Sequence, residues 1–324
     1  MHRVKPGLHS GRARLDPNLM MDTRDVRSAI LNAVVTACMA GACSCPAQPV
    51  PAWPSAVAQA AQFAPQARIV VLDIAAGRLL ASSHLAEAAR TLAAPGSTLK
   101  PLILYNLIAA GRWDPDRRIA CSRKLRIAGR SLNCGHPQMD PMDARMALTW
   151  SCNTYFATVA GSLQPGELRD LLAPTGLLGQ SGLANGEATA IFHDPQTPDR
   201  NRLALLGVDG VLITPLELAI AYRWLALQLA AQPETRAAQT VRAGLEDSAS
   251  FGTAGAADLG GVPVAGKTGT ADAATGSQSH GWFAGLAPSD HPRIVIAVYL
   301  PAGHGSDAAR VAAELLKRSP LRQP

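Results

Sequence analysis

Short apolar segments with strand character lie near both ends of the chain. Residues 68–74 and 78–82 are separated by a small turn and predict a β-hairpin. Further along, residues 262–267, 281–287 and 294–300 predict three more strands, and the last is apolar throughout, as a central strand requires. We therefore expect one sheet built from both ends of the chain.

Helical patterns occupy the middle and the C-terminal end. Residues 97–110 predict a helix that stops at Gly111. The sequence Thr214-Pro215-Leu216-Glu217 predicts a helix start with a capping box. A final helix is predicted to begin at Ser306 and Asp307. This order predicts an α/β/α sandwich with a mainly antiparallel sheet and a mostly helical lobe inserted within it.

The same patterns divide the chain into segments. Basic residues precede a small apolar run over 29–42, which has the length of a secretory signal core. We expect a leader over 1–45, a Pro/Ala-rich tether over 46–65, and a folded domain over 66–320. Within that domain the predicted α/β lobe comprises about 66–112 and 258–320, and the helical lobe about 113–257.

The leader predicts export, to the periplasm or the outer side of the cytoplasmic membrane. Two processing routes stay open: a lipoprotein acylated at Cys38 or Cys43, and signal-peptidase cleavage near Ala40-Gly41-Ala42. Translation from Met20 or Met21 is also open. Contact with the membrane is expected only through such a lipid or signal anchor.

Composition narrows the function classes. The chain has 324 residues, 48% of them hydrophobic and 17% charged, which excludes intrinsic disorder. Residues 1–48 carry +3 of the net charge of +6, and the densest basic stretch, 123–130, contains no aromatic residue on which a base could stack. Nucleic acid is therefore not an expected partner. Only five of the 30 basic residues are Lys. Because Lys can lose its proton and Arg cannot, these five positions are candidates for an amine that acts as a base.

One such position is in Ser97-Thr98-Leu99-Lys100, at the start of the first long predicted helix. Residues three apart share a helix face, so the Ser97 hydroxyl and the Lys100 amine are expected within hydrogen-bonding reach. A neutral Lys can take the proton of a serine and make it a nucleophile. By itself this four-residue pattern is weak.

Two further motifs strengthen it. Ser151-Cys152-Asn153 and Lys267-Thr268-Gly269-Thr270 follow in that order, and the three motifs together are typical of serine enzymes that bind penicillin. From Ile69 to Leu316 the chain resembles the transpeptidase domain of penicillin-binding proteins. The segments Ala94–Pro101, Gly210–Ala219 and His280–Gly285 also resemble that family's local sequences.

The resemblance implies a role for each matched residue. Ser97 would be the acylated nucleophile, Lys100 its base and Ser151 a proton relay to the leaving amine. Asn153 would bind the substrate amide. The strand that binds the substrate backbone and carboxylate would consist of Lys267, Thr268, Gly269 and Thr270. The backbone N–H groups of Ser97 and Thr270 would form the oxyanion hole. The implied partners are peptidoglycan stem peptides, with β-lactam antibiotics as covalent inhibitors and no cofactor.

The resemblance favours a D,D-transpeptidase among several related activities. A class A β-lactamase would carry a Glu-x-x-x-Asn loop, which does not follow Asn153, and class D enzymes usually have an aliphatic residue at that position. A D,D-carboxypeptidase, a β-lactamase, or a penicillin-sensing or scaffold module without turnover are the alternatives.

The cysteines outside the leader are Cys121, Cys134 and Cys152. Cys121 and Cys134 flank a predicted hairpin, and an oxidising compartment favours a disulfide between them, worth about 3 kcal/mol. A metal site using these two cysteines and His136 ranks lower because we expect no fourth ligand nearby. We therefore expect no metal and interpret Cys152 as a packing residue.

Overall fold

The computed structural model describes residues 52–164, 166–257, 261–272 and 278–322. Its strands are β1 (Arg68–Asp73), β2 (Leu79–Ser83), β3 (Arg126–Ile127), β4 (Arg130–Ser131), β5 (Ile191–Phe192), β6 (Val211–Leu212), β7 (Ala265–Asp272), β8 (Ser279–Ala287) and β9 (Ile294–Leu300). Its α-helices are α1 (Trp53–Phe63), α2 (Leu85–Ala88), α3 (Lys100–Ala109), α4 (Ala144–Thr149), α5 (Asn153–Ala160), α6 (Glu167–Leu172), α7 (Pro198–Leu205), α8 (Pro215–Ala231), α9 (Arg236–Ser250) and α10 (Gly305–Lys317). Single 3₁₀ turns cover Gly96–Leu99, Ala173–Thr175, Gly255–Ala257 and Pro320–Arg322.

The main sheet is antiparallel and has the strand order β2-β1-β9-β8-β7. The N-terminal hairpin joins the C-terminal strands through β1 and β9, where Val70 lies opposite Ala297. All seven residues of β9 are buried, as expected for a central strand covered on both faces. The sheet is therefore built from both ends of the chain, and β7 forms one of its edges.

Helices cover both faces of this sheet. Helices α1 and α10 pack on one face, and α8 packs on the other against β1, β8 and β9. Because side chains alternate along a strand, neighbouring residues enter different cores. Ile69 and Ile296 belong to the core beneath α10, whereas Val70 and Ala297 belong to the larger core shared with the helical lobe. The predicted α/β/α sandwich is confirmed.

Two predicted boundaries differ from the structure. The predicted tether over 46–65 contains α1, whose Ala56, Val57 and Ala60 form a buried stripe against α10. The Pro- and Ala-rich composition favoured a tether, although these small residues have helical spacing. Because α1 packs on α10, the folded part starts before residue 66. The leader predicted over 1–45 lies outside the described residues.

Helix α8 was assigned to the helical lobe, yet it forms the second helical layer of the sandwich. It is apolar on most of its surface because the sheet covers one side and the lobe the other. Its capping box is confirmed: Thr214 Oγ1 accepts from the Glu217 N–H at 3.1 Å, and the Glu217 carboxylate accepts from the Thr214 N–H at 2.7 Å. The same carboxylate accepts from the Ala190 N–H at 2.6 Å, and burial raises the pKa of Glu217 to about 7.

Helices α3, α4 and α9 pack together in the lobe beside β7. Helix α9 packs on α4 and α3 and reaches β7, so it connects the lobe to the sheet. Helix α10 begins at Gly305, slightly earlier than predicted, and the Asp307 carboxylate accepts from the His304 N–H at 2.8 Å. Within the described ranges, none of the helices has the length and apolar character to span a membrane.

Candidate active site

Ser97 lies in the 3₁₀ turn that leads into α3, and this turn is pressed against β7. Gly96 has φ +56°, and a Cβ there would lie 2.7 Å from the Thr270 carbonyl oxygen and 2.8 Å from its nitrogen. Only glycine combines that conformation with such a close approach. The turn and the strand are thus held together at the position where the N–H groups of Ser97 and Thr270 are expected to cooperate.

Lys100 lies one turn after Ser97 and has no exposed surface. Its Nζ donates to Asn153 Oδ1 at 2.7 Å, to the Ser151 carbonyl at 3.0 Å and to Ser151 Oγ at 3.2 Å. Burial lowers the pKa of Lys100 to about 7. Among the described residues no hydrogen bond joins Nζ to Ser97, so the expected contact is replaced by contacts to the second motif. Loss of one ammonium proton would free a lone pair for the Ser97 hydroxyl.

Ser151 has a left-handed backbone, with φ +55°, which is uncommon for a residue with a side chain. This conformation ends α4 and turns the chain into α5, where Cys152 is the N-cap and Asn153 the first helical residue. The Asn153 side chain is held at both ends, since its Nδ2 donates to the Leu132 carbonyl at 3.1 Å and its Oδ1 accepts from Lys100. Backbone strain and a fixed amide at one place are typical of a functional site.

The third motif lies on β7. Lys267 is fully buried, and burial together with the charge of Lys100 holds its pKa well below the usual range. Its Nζ donates to the Thr268 carbonyl at 3.1 Å and to Thr253 Oγ1 at 3.3 Å; within the described part of the chain it makes no hydrogen bond to Ser151. Thr268 also donates to Thr253 Oγ1, at 3.1 Å. Thr253 therefore supports this strand, although it belongs to none of the three sequence motifs.

The end of the motif remains accessible. Thr270 is exposed, and its Oγ1 accepts from the Gly305 N–H at the start of α10, at 2.9 Å. Gly269 lies between the two threonines and packs under the Ser97 turn. Because β7 is an edge strand, its outer backbone groups can pair with an extended peptide.

These groups surround one cleft of about 360 Å³. Ser97, Ser151, Asn153, Thr268 and Thr270 all line it, with the two buried lysines beneath. Its opposite wall comes from the segment after β4 and from the start of α10, namely Asn133, Cys134, Gly135, His136, Pro137, His304, Gly305 and Ser306. The structure thus brings together every residue predicted for catalysis and substrate binding.

Gly207 is a further contributor that the sequence did not single out for this site. Its carbonyl accepts from the Gly96 N–H at 2.8 Å, and a Cβ on Gly207 would overlap the Gly96 backbone. The segment that leads to the Thr214 capping box therefore supports the Ser97 turn from below. Its φ of +71° is a second reason for glycine at this position.

The cysteines differ most from expectation. The predicted disulfide between Cys121 and Cys134 is not formed: both are free thiols, with their Sγ atoms 3.5 Å apart. Cys152 Sγ lies 3.9 Å from Cys134 Sγ, and His136 completes a group whose side-chain donor atoms all lie within 4.8 Å of one another. The argument that no fourth metal ligand is near was therefore wrong, because Cys152 is close in space although distant from the hairpin in sequence.

Comparisons with known proteins agree with this arrangement. The family model described as "Penicillin binding protein transpeptidase domain" matches residues 58–319. The apo transpeptidase domain of penicillin-binding protein 3 from Burkholderia pseudomallei aligns with a TM-score of 0.70 at 22% identity, covering 84% of this chain and 96% of that one. No curated protein matched the chain.

Two further solved structures share the fold. The D,D-transpeptidase domain of a peptidoglycan glycosyltransferase from Eggerthella lenta has a TM-score of 0.66 at 22% identity, with 82% of this chain and 80% of that chain covered. Penicillin-binding protein 2 from Pseudomonas aeruginosa, solved in complex with WCK 5153, has a TM-score of 0.67 at 22% identity, with 82% and 74% covered. At this identity the likeness establishes the fold.

Proposed function

Because the chain belongs to the family of penicillin-binding protein transpeptidase domains, we propose that it is a serine acyl-enzyme D,D-transpeptidase acting on the D-Ala-D-Ala ends of peptidoglycan stem peptides. The observation that carries the proposal is the convergence of three motifs on one cleft. Lys100 hydrogen-bonds to both Ser151 and Asn153, and the Ser97 turn is packed against β7.

Acylation begins with the Ser97 hydroxyl. Neutral Lys100 takes its proton as Oγ bonds to the carbonyl carbon of the penultimate D-Ala, and the N–H groups of Ser97 and Thr270 stabilise the oxyanion. The proton reaches the leaving amine through Ser151, whose Oγ lies 3.2 Å from Lys100 Nζ. The peptide C–N bond then breaks and D-Ala departs.

The acyl group is next transferred to a second stem peptide. Its amine attacks the ester, a new C–N bond forms, the C–O bond to Ser97 breaks, and the proton returns to Ser97. This aminolysis forms the cross-link. The absence of a Glu-x-x-x-Asn loop after Asn153 favours transfer over the rapid hydrolysis of a class A β-lactamase.

Substrate binding uses the free edge of β7. The donor peptide pairs with this strand as an added antiparallel strand, and Asn153 binds its amide. Thr270 Oγ1 already accepts from Gly305, which leaves its own O–H free to donate to the terminal carboxylate, beside Thr268. In its protonated form, which a bound carboxylate favours, Lys267 would contribute positive potential from beneath the strand. The proposed site of action is the cell wall, outside the cytoplasm.

Labelling with a fluorescent penicillin tests the proposal. We expect wild type and the remote control Ser162→Ala to form a stable adduct and Ser97→Ala to form none. A wild-type chain without a Ser97-dependent adduct would overturn the assignment. An adduct lost within seconds would instead indicate a β-lactamase.

Incubation with a pentapeptide donor and an amine acceptor separates the remaining alternatives. Release of D-Ala together with a cross-linked product supports the transpeptidase. Release of D-Ala without that product supports a D,D-carboxypeptidase. A stable penicillin adduct with neither product supports a sensing or scaffold module.

A further inference from the structure

Four potential metal ligands meet beside the cleft, and two of them, Cys134 and His136, line its wall. Cys121 precedes the β3–β4 hairpin, Cys134 and His136 follow it, and Cys152 begins α5. Their exposures are 8%, 7%, 4% and 1%, so all four are buried. Three thiols and an imidazole are an unusual polar group to bury together, and their donor atoms lie close to one another.

The four donor atoms are close enough together to reach one ion. The sulfur atoms of Cys121 and Cys152 lie 3.5 and 3.9 Å from that of Cys134, and all four donor atoms lie within 4.8 Å of one another. Zinc bound to thiolates at about 2.3 Å requires neighbouring sulfur atoms to be about 3.8 Å apart. Little movement is therefore needed to close around one ion.

His136 provides an independent observation. Its Nδ1 donates to the Pro137 carbonyl at 2.7 Å, so Nε2 is the ring nitrogen that can bind a metal. Nε2 is buried, and none of the described residues offers it a hydrogen bond. Metal-binding histidines are typically oriented in this way, with one ring nitrogen held by a carbonyl and the other on the metal.

Backbone donors point at each sulfur atom. The Asn153 N–H donates to Cys134 at 3.2 Å, the Arg123 N–H to Cys121 at 3.3 Å and the Tyr155 N–H to Cys152 at 3.5 Å. Such bonds spread the negative charge of metal-bound thiolates. Each sulfur atom thus has a supporting contact outside the cluster.

We propose that Cys121, Cys134, His136 and Cys152 bind one Zn²⁺ ion as a closed structural site. Sulfur-rich tetrahedral sets select zinc, and four protein ligands leave no position for a reacting water. A Cys121–Cys134 disulfide would use only two of the four groups and would leave the Nε2 of His136 without a partner. The metal accounts for all four.

The ion would also hold the neighbouring motif, Ser151-Cys152-Asn153, in position. Cys152 stands between Ser151 and Asn153, so the ion ties the hairpin to the left-handed turn that carries both side chains. The ligands are therefore positioning residues for Ser151 and Asn153. This consequence rests on the proposed function, whereas metal binding itself does not.

The test uses the full chain purified without chelators and measures metal by mass spectrometry. We expect one zinc per chain in wild type. Cys121→Ser and His136→Ala should each weaken zinc affinity at least about tenfold in chelator competition, as loss of even an outer partner of a ligand does. Ser122→Ala, in the same loop, and His291→Ala, an exposed histidine, should keep wild-type affinity.

X-ray absorption on wild type keeps the test decisive if a variant fails to fold. Three sulfur atoms and one nitrogen around zinc support the proposal. Substoichiometric zinc, zinc affinity unchanged by both ligand substitutions, or a Cys121–Cys134 disulfide found by peptide mapping would each overturn it.

Penicillin labelling measures the link to the active site. Removing zinc should slow acylation of wild type, and restoring zinc should recover it; an unchanged rate would overturn the positioning role. Ser97→Ala should bind zinc normally and form no adduct, which separates failure of the metal site from failure of the proposed function.

Discussion

The contact between the Ser97 turn and β7 can be broken by one methyl group. In Gly96→Ala, the new Cβ would lie 2.7 Å from the Thr270 carbonyl oxygen and 2.8 Å from its nitrogen, well inside normal contact distance. Both neighbours are backbone atoms of a paired strand, so the turn itself must move. We expect Ser97 and its N–H to shift away from Thr270 by several tenths of an ångström.

Gly111→Ala is the matched control. Gly111 ends the same helix, α3, with φ +67°, but a Cβ there would meet no atom within 4 Å. Both variants place alanine in a left-handed conformation, which costs about 1 kcal/mol. Only Gly96→Ala adds the collision. The difference between the two therefore isolates the geometry of the proposed oxyanion hole.

The assay is the second-order rate constant of penicillin acylation, measured beside thermal unfolding. Loss of one oxyanion donor lowers rates by about 10²–10³-fold, and we expect Gly96→Ala to approach the lower figure. Gly111→Ala should acylate at the wild-type rate and lose only about 1 kcal/mol of unfolding free energy. Wild-type acylation by Gly96→Ala, or an equal loss in both variants, would refute the reasoning.

Other predictions concern Lys100 and Glu217. Because burial lowers the pKa of Lys100 to about 7 and the neutral amine is the proposed base, the acylation rate should rise as pH increases from about 6 to 8; a flat profile would contradict this role. Lys100→Arg keeps the charge but cannot lose its proton, so adduct formation should cease, and retained labelling would exclude Lys100 as the base. Glu217→Ala leaves the N–H groups of buried Thr214 and half-buried Ala190 unpaired. Chemical denaturation should show a loss of about 2–4 kcal/mol, against little change for the exposed control Glu234→Ala.

Features that depend on near neighbours in the chain were predictable. Short apolar segments predicted β1, β2 and β9 within a residue or so, and Thr214-Pro215-Leu216-Glu217 marked the start of α8. The catalytic motifs are also local: Ser97 and Lys100 are one helical turn apart. Their order along the chain identified the family, and the fold then brought their residues to one cleft.

Contacts between distant segments were not predictable from local patterns. Lys100 bonds to residues 51 and 53 positions away rather than to Ser97, and Thr253 supports Lys267 from a loop that carries no motif. Helix α8 was placed in the wrong layer because periodicity shows that a helix is buried without showing what covers it.

The sequence by itself therefore indicated the strands of the main sheet and the residues proposed for the acyl-transfer chemistry. Tertiary structure decided which side chains meet: it brought Cys152 to Cys121, Cys134 and His136, and it set Gly207 under Gly96. The physical reason is that helix and strand periods are set by neighbours a few residues apart. Contacts across dozens of residues depend instead on how whole elements pack, and no short stretch of sequence records that packing.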